Sequence, residues 1–423
     1  MKLFKLRLTT LKSKLYAIIL TSVISRVLIQ LFLPYEPTNL APDEGNYAHL
    51  ANWISLEKPA DLYPNYGNLY RTTRAFILPA AFLDKAGIPQ LLSVRLISGL
   101  YSILTTILVA KLITESKHLD ESHKSYSRIA VAIFFIFTFW PSRFIWSIFG
   151  MRESAVEFWV ILTYFVFTLI FQSDNRRKFP LVIMLSACIL MVYFSRPQVG
   201  LVMSFSLIIA AAMHLKLVIT KIVIPVIILT AIMGDTATSL EEKAIPLTNE
   251  TNSNSGTENA LELSQVITNG LKKQADSVLI HQKNNKLTAA SAIPEPFCPI
   301  EEESTKNRKY ICLLWTVPST TFTFIFRPLA PSDMTSITSL LAIVENLFLL
   351  IIFIYIFIRI FLIRRLNYFQ KLSPLLIFMT TYCVSAGVYE GNMGTGFRHK
   401  SLIFWIVFLV LSSAIFTNKK NRT

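Results

Sequence analysis

The chain has 423 residues, of which 53% are hydrophobic and only 16% are charged. A soluble domain normally carries about 25% charged residues, so this composition excludes an ordinary soluble protein. The net charge of +15 does not indicate nucleic-acid binding, because much of it lies at the ends of apolar runs, where it orients membrane spans. We therefore predict an all-α polytopic membrane protein.

The first apolar run, Leu15–Leu33, follows a basic N-terminus, and no small-residue cleavage site comes after it. We expect a retained signal anchor that starts in the cytoplasm and crosses outward. An outer loop from Pro34 to Arg74 follows. It is predicted to hold a surface helix over Tyr47–Leu56. The next segment, Ala75–Leu83, is too short to cross and is expected to lie in the outer leaflet.

The remaining runs and their flanking charges predict ten spans with both termini cytoplasmic. The run 129–148 is expected to bend at Pro141, and Ile311–Phe326 is expected to be re-entrant or to lie on the outer surface. The ten predicted spans are Leu15–Leu33, Leu91–Ile113, Ile129–Ile148, Ser154–Phe171, Phe179–Phe194, Val199–Met213, Leu217–Met233, Leu340–Phe361, Ser373–Val388 and Ser401–Phe416.

Three parts of the chain are predicted from the polar stretches. An N-terminal transmembrane module (1–233) includes a first external loop (34–90), a long external hydrophilic loop follows (234–311), and a C-terminal transmembrane module ends the chain (312–423). The hydrophilic loop contains a predicted amphipathic helix. Its end is flanked by two cysteines that could form a disulfide or stay reduced, whereas the cysteines in spans are expected to be core residues. These features are Glu258–Ile280, Cys298 with Cys312, and Cys188 with Cys383.

Two adjacent carboxylates, Asp43 and Glu44, are predicted at the outer membrane edge, directly after Pro42. The simpler interpretation is a helix start, since Pro suits the first turn and acids suit its positive end. However, several outer loops also supply arginine, against the positive-inside trend. Arginine presents a planar fork that suits phosphate oxygens. Unless neighbours such as Arg152 and Glu153 simply pair with each other, this pattern favours an acidic ligand beside a carboxylate pair.

The Asp-Glu pair in a first external loop, with a tyrosine shortly after, resembles the GT-C superfamily of polytopic glycosyltransferases. The stretches 149–154, 326–328 and 394–400 also resemble motifs of bacterial surface-polysaccharide membrane proteins. The resemblance implies a GT-C-like fold and an inverting transfer of sugar from a polyprenyl-phosphate-linked donor to an acceptor hydroxyl. It implies Asp43 as general base and Glu44 as its helper. The donor phosphate would bind Arg398, Lys400, Arg196, Arg152 and Arg327, and acceptor or sugar contacts would come from Tyr47, His49, Arg71, Arg74, Glu153 and His399.

The expected partners are the lipid-linked sugar, a glycan or lipid-linked acceptor and membrane lipids, with no nucleic acid. The expected location is a bacterial inner membrane with the active site on the outer face. No certain cofactor is expected, and a divalent cation (Mg or Mn) at the acid pair stays open. The alternatives are a polymerase of O-antigen or exopolysaccharide and a flippase for a lipid-linked glycan. The flippase is less favoured because most central span positions are apolar.

Overall fold

The protein is described here by a computed structural model. The described residues form helices, and no strand occurs among them. They are residues 10–36, 41, 43–58, 69–70, 72–115, 124–172, 175–214, 224–229, 317–329, 337–363, 366–389 and 393–416.

Fourteen of these helices are labelled in chain order, and a shorter helical segment covers 224–229. The labelled helices are α1 (Leu11–Phe32), α2 (Asp43–Ser55), α3 (Arg74–Lys85), α4 (Gln90–Glu115), α5 (Lys124–Thr138), α6 (Pro141–Ile148), α7 (Glu153–Gln172), α8 (Asn175–Ser195), α9 (Pro197–His214), α10 (Val317–Phe326), α11 (Ile337–Ile363), α12 (Leu366–Tyr389), α13 (Met393–His399) and α14 (Ser401–Phe416).

Five helices within the described residues are long and apolar enough to cross a membrane: α1, α4, α7, α8 and α11. The count becomes six if α5 and α6 form one span. An all-α membrane protein is therefore confirmed. The described residues do not contain the ten predicted spans. Several of the other predicted spans appear only as apolar helical stretches of 10–17 residues, which are too short to be counted as spans.

The pair α5 and α6 is bent by 46° at a short break. Pro141 is the first residue of α6, and Trp140 precedes it as the N-cap. Proline suits the first turn of a helix but cannot continue the hydrogen bonding of a preceding one. The predicted bend at Pro141 is thus confirmed, and α6 packs against α7.

The chain divides into two compact units. The first contains Met1–Glu242, Leu347–Tyr382 and Ser401–Thr423, and the second contains Lys243–Asn346 and Cys383–Lys400. Within the first unit, α4 is the central helix and packs against α1, α2, α3, α6 and α7. A helix enclosed by so many neighbours can bury polar groups only by pairing them with those neighbours. This explains why α4 carries the partners of the site described below.

Helix α1 buries its polar face. Ser22, Arg26 and Gln30 recur every four residues and are buried, whereas Leu20, Ile24 and Leu28 are exposed. Residues four apart share one side of a helix. In a membrane the exposed apolar side faces lipid, so the polar side must pair with protein. Helix α1 is therefore both a span and a source of buried hydrogen-bonding groups.

Candidate functional site

The acid pair opens α2, and its two members have different surroundings. Asp43 is the first residue of the helix and is partly exposed, whereas Glu44 is 0% exposed. Acids in the first helical turn are stabilised by the positive end of the helix. The predicted helix over Tyr47–Leu56 is present as part of α2, which ends at Ser55, and Tyr47, Leu50 and Ala51 form its buried face.

The carboxylate of Glu44 is held by a buried arginine. Arg95 of α4 donates from Nε to Oε1 at 2.8 Å and from Nη2 to Oε2 at 3.1 Å. The backbone N–H of Gly150 donates to the same Oε1 at 2.8 Å. Two parallel bonds from a guanidinium to a carboxylate form the strongest and most directional ion pair in proteins. Glu44 is therefore fixed between α4 and the turn that joins α6 to α7.

Arg95 also holds the end of α1. Its Nη1 donates to the carbonyl oxygen of Pro34 at 2.7 Å, and its Nη2 lies 3.5 Å from the carbonyl oxygen of Glu36. Gln30 donates from Nε2 to the carbonyl oxygen of Arg95 at 2.7 Å. One guanidinium thus ties together the exit from α1, the start of α2 and the body of α4. We call this group, formed by Gln30, Glu44, Arg95 and Gly150, the clamp.

Gly150 is required by close packing. A Cβ atom at this position would lie 2.5 Å from Cγ2 of Val94 and 3.2 Å from the backbone carbonyl carbon of Val94. Such distances are far shorter than van der Waals contact, so a larger residue would push the turn away from α4. The missing side chain is what allows the N–H of Gly150 to reach Glu44.

Two of the predicted phosphate-binding or sugar-binding arginines, Arg74 and Arg152, lie at the segment 72–74 of the first unit. Arg152 donates from Nη1 to the carbonyl oxygen of Thr72 at 3.1 Å. The guanidinium of Arg74 lies over the ring of Phe194 at 4.2 Å. Arg196 follows two residues later and is buried between α8 and α9. Arg152 follows Gly150 of the clamp by two residues, in the turn that joins α6 to α7.

The other predicted contact residues of the first unit have mixed surroundings. Tyr47 is buried and packs edge-to-face on Phe76, with ring centroids 5.6 Å apart, so it joins α2 to α3. Glu153 is buried at the start of α7, and His49 is exposed on α2. Arg71 lies outside the described residues. The structure therefore buries Tyr47 and Glu153 and leaves His49 at the surface.

Lys400, in the second unit, is buried among protein partners. Its Nζ donates to the carbonyl oxygen of Arg327 and, at 3.1 Å, to Oδ1 of Asn346. The amide of Asn346 in turn donates to the carbonyl oxygen of Pro328 at 2.9 Å. Burial lowers the pKa of Lys400 to about 7, and the nearby Glu345 opposes this change in part. The amine is thus used to hold the segment after α10, a role that the sequence did not predict.

The three remaining predicted residues also lie in the second unit. Arg327 and Arg398 are partly exposed, and His399 is buried. Arg398 and His399 end α13, where positive charge is stabilised by the negative end of the helix. Their predicted contact with a donor phosphate stays a prediction.

A second buried charge network lies between the spans of the first unit, and sequence reasoning missed it. Arg143 of α6 pairs with Glu157 of α7 at 3.0 Å. Arg26 of α1 donates from Nε to Oγ of Ser147 at 2.8 Å and from Nη2 to the carbonyl oxygen of Thr138 at 3.1 Å. The signal that was missed is the four-residue spacing of polar residues along α1. This spacing places them on one face, and buried charges in spans need partners on other helices.

The described residues contain no group of three or more His, Cys, Asp or Glu that could hold a metal ion. The divalent cation at the acid pair stays a prediction. Cys188 and Cys383 are free and buried, as predicted for core residues. The pair Cys298 and Cys312 and the predicted helix Glu258–Ile280 lie outside the described residues.

Comparison with known proteins identifies no relative: no protein family, no curated protein and no solved structure matches this chain. The assignment of a function consequently depends on the geometry of the clamp and of the arginines beside it.

Proposed function

We propose that the protein is a GT-C-like membrane glycosyltransferase that moves a sugar from a polyprenyl-phosphate-linked donor to an acceptor hydroxyl. The single observation that carries this proposal is the difference in burial and hydrogen bonding between the two neighbouring acids. Both carboxylate oxygens of Glu44 accept hydrogen bonds, from Arg95 and from the N–H of Gly150. Asp43 is the first residue of the helix and is partly exposed. A general base needs a fixed backbone and access to the acceptor, and the position of Asp43, on a helix and partly exposed, supports this role.

In the proposed reaction, the carboxylate of Asp43 takes the proton of the acceptor hydroxyl as its oxygen attacks the anomeric carbon. The bond between that carbon and the phosphate oxygen breaks, and polyprenyl phosphate leaves with the bonding electrons. One base is enough for this single inverting displacement. Glu44 acts as a positioning residue, because its oxygens are occupied by Arg95 and Gly150.

The leaving phosphate gains negative charge, which fixed cations stabilise. Arg152, Arg74 and Arg196 are the best candidates, because they belong to the unit that holds Asp43 and Arg152 contacts the segment next to Arg74. The predicted contact of Arg327 and Arg398 with a donor phosphate stays a prediction. Lys400 is better explained as the residue that secures the Arg327 segment.

The test is the release of polyprenyl phosphate from a panel of polyprenyl-phosphate-linked hexoses by the full chain in membranes. Asp43→Asn should lower this rate by about 10²–10⁴-fold, because it removes the base and keeps the shape. Glu57→Gln is the matched control, since Glu57 follows α2, is exposed and pairs only with the surface Lys85 in the described structure. Unchanged turnover in Asp43→Asn would exclude this mechanism.

A second candidate, transport of an acidic lipid-linked glycan, is favoured by one observation. Arg26, Arg143 and Glu157 are buried between spans, and charged residues at such positions often mark a transport path. Vesicles that contain the protein and a lipid-linked glycan, but no acceptor, separate the two functions. Movement of the glycan across the bilayer without release of polyprenyl phosphate would favour transport.

A further inference from the structure

A groove lies between α1 and α5, and its two residues on α1 precede Gln30 of the clamp by 12 residues or more, about 18 Å of helix. Its volume is about 400 Å³, within the range typical of small-molecule sites, about 300–1,000 Å³. Helix α1 contributes Lys14 and Ile18, and α5 contributes a stripe that begins at Arg128 and ends at Ile136. Apart from Lys14 and Arg128, every residue that lines it is apolar.

The two cations lie at the same end of the groove. The helices pack together, and Arg26 of α1 contacts the carbonyl oxygen of Thr138 at the end of α5, so the two helices run in the same direction. Both are predicted to run outward from the cytoplasm. Lys14 and Arg128 are therefore near the helix starts, and the apolar residues follow them toward the membrane interior. On α5 the lining positions 128, 131, 132, 135 and 136 follow the three- and four-residue spacing of one helix face.

The length of the groove matches one leaflet of a bilayer. From Arg128 to Ile136 the helix rises about 12 Å, and half of the hydrocarbon core is about 15 Å. An acyl chain in the groove would contact Phe135 and Ile136, which are 51% and 46% exposed in the isolated chain. Its phosphate would then lie at the level of Lys14 and Arg128.

We propose that this groove binds one anionic phospholipid in the cytoplasmic leaflet. Arg128 offers a planar fork for the phosphate oxygens, and Lys14 adds a second positive charge. A zwitterionic lipid would bring its own ammonium group toward two cations, so charge complementarity selects a headgroup of net negative charge. Basic pockets between spans on the cytoplasmic side are the expected form of such lipid sites. The site is independent of the proposed transferase activity.

The test uses the full chain purified in a neutral detergent, with phosphatidylglycerol as the probe and phosphatidylcholine as the neutral reference. Native mass spectrometry counts the lipids that stay bound. The double variant Lys14→Ala, Arg128→Ala should lower phosphatidylglycerol affinity by about thirtyfold. Ala132→Trp should also remove binding, because it fills the groove and leaves both charges in place. Lys12→Ala and Ile129→Trp are matched controls, since neither residue lines the groove.

The wild type and both controls should retain phosphatidylglycerol in preference to phosphatidylcholine. Equal retention of the two lipids by the wild type, or full retention by both groove variants, would overturn the proposal. Displacement of the lipid by an equal concentration of soluble glycerol phosphate would also overturn it, because that result indicates a site for free anions. If the double variant does not yield folded protein, the single variant Arg128→Gln is measured instead. Its affinity for phosphatidylglycerol should be about fivefold lower than that of the wild type.

Discussion

At the scale of single residues, the neighbours Asp43 and Glu44 show how a helix gives two identical charges different roles. Consecutive residues project about 100° apart around a helix, so only one of the two can face α4. That one is Glu44, which is buried against Arg95. The sequence predicted that the pair is important, but it could not tell which acid turns inward, because the choice depends on how α2 packs against α4.

This arrangement predicts that Glu44→Gln damages stability more than Asp43→Asn does. Removing one partner of a buried ion pair leaves the other charge uncompensated, at a cost of about 3–5 kcal/mol. The melting temperature of the purified full chain should therefore fall by several degrees for Glu44→Gln and stay near the wild-type value for Asp43→Asn. Adding Arg95→Met to Glu44→Gln should restore part of the loss, since it removes the unpaired charge.

Glu57→Gln serves as the control for this comparison. Glu57 pairs with Lys85 at the surface, where both side chains are mostly exposed, and such pairs contribute little to stability. An equal fall in melting temperature for all three single variants would mean that the clamp has no special role. A fall in melting temperature for Asp43→Asn alone would show that Asp43, and not Glu44, has the structural role.

At the scale of helices, positions along the chain were predictable and orientations were not. The predicted span Ser401–Phe416 has the same bounds as α14, and the predicted Leu15–Leu33 differs from α1 by a few residues at its start. The polar face of α1 was not predicted, because hydropathy sums over a window and loses the side on which Arg26 lies. The clamp was missed for the same reason, since its members come from α1, α2, α4 and a turn that are distant in sequence.

The close approach of the α6–α7 turn to α4 predicts that Gly150→Ala is harmful and that Val94→Ala rescues it. The added Cβ would lie 2.5 Å from Cγ2 of Val94, and valine cannot turn aside easily because its side chain is branched at Cβ. Overpacking of this kind costs about 1–3 kcal/mol. The double variant removes Cγ2, while Cβ and the backbone of Val94 stay within 3.0–3.2 Å, so it should recover part of the lost melting temperature and donor turnover.

Gly396→Ala is the matched glycine control. Its added Cβ would lie 3.7 Å from the ring of Phe324, which is ordinary contact, and alanine suits a helix better than glycine does. We expect an unchanged or slightly raised melting temperature. If Gly150→Ala behaves in the same way as Gly396→Ala, then the turn has room to adjust and the clamp does not depend on it.

At the scale of the whole molecule, the number of spans depends on helices near the minimum length. Helix α9 has 18 residues and is about 27 Å long, close to the hydrocarbon thickness of about 30 Å. If α9 and the predicted span Leu217–Met233 both cross, the loop that follows them lies outside. If neither crosses, that loop is still expected outside, because α8 is predicted to end there. The side of the clamp is therefore independent of this pair.

Reporter tags can separate sidedness from span number. Tags at Asn175 and at the C-terminus should read cytoplasmic, and a tag at Ser253 should read external, whether or not α9 crosses. A tag at Lys216 should read cytoplasmic, because α9 is predicted to cross and basic residues are retained inside. An external reading at Lys216 alone would remove two spans and leave the proposed site on the outer face. A cytoplasmic reading at Ser253 would instead place the long loop inside, and the transferase would then lose its expected access to outer-face acceptors.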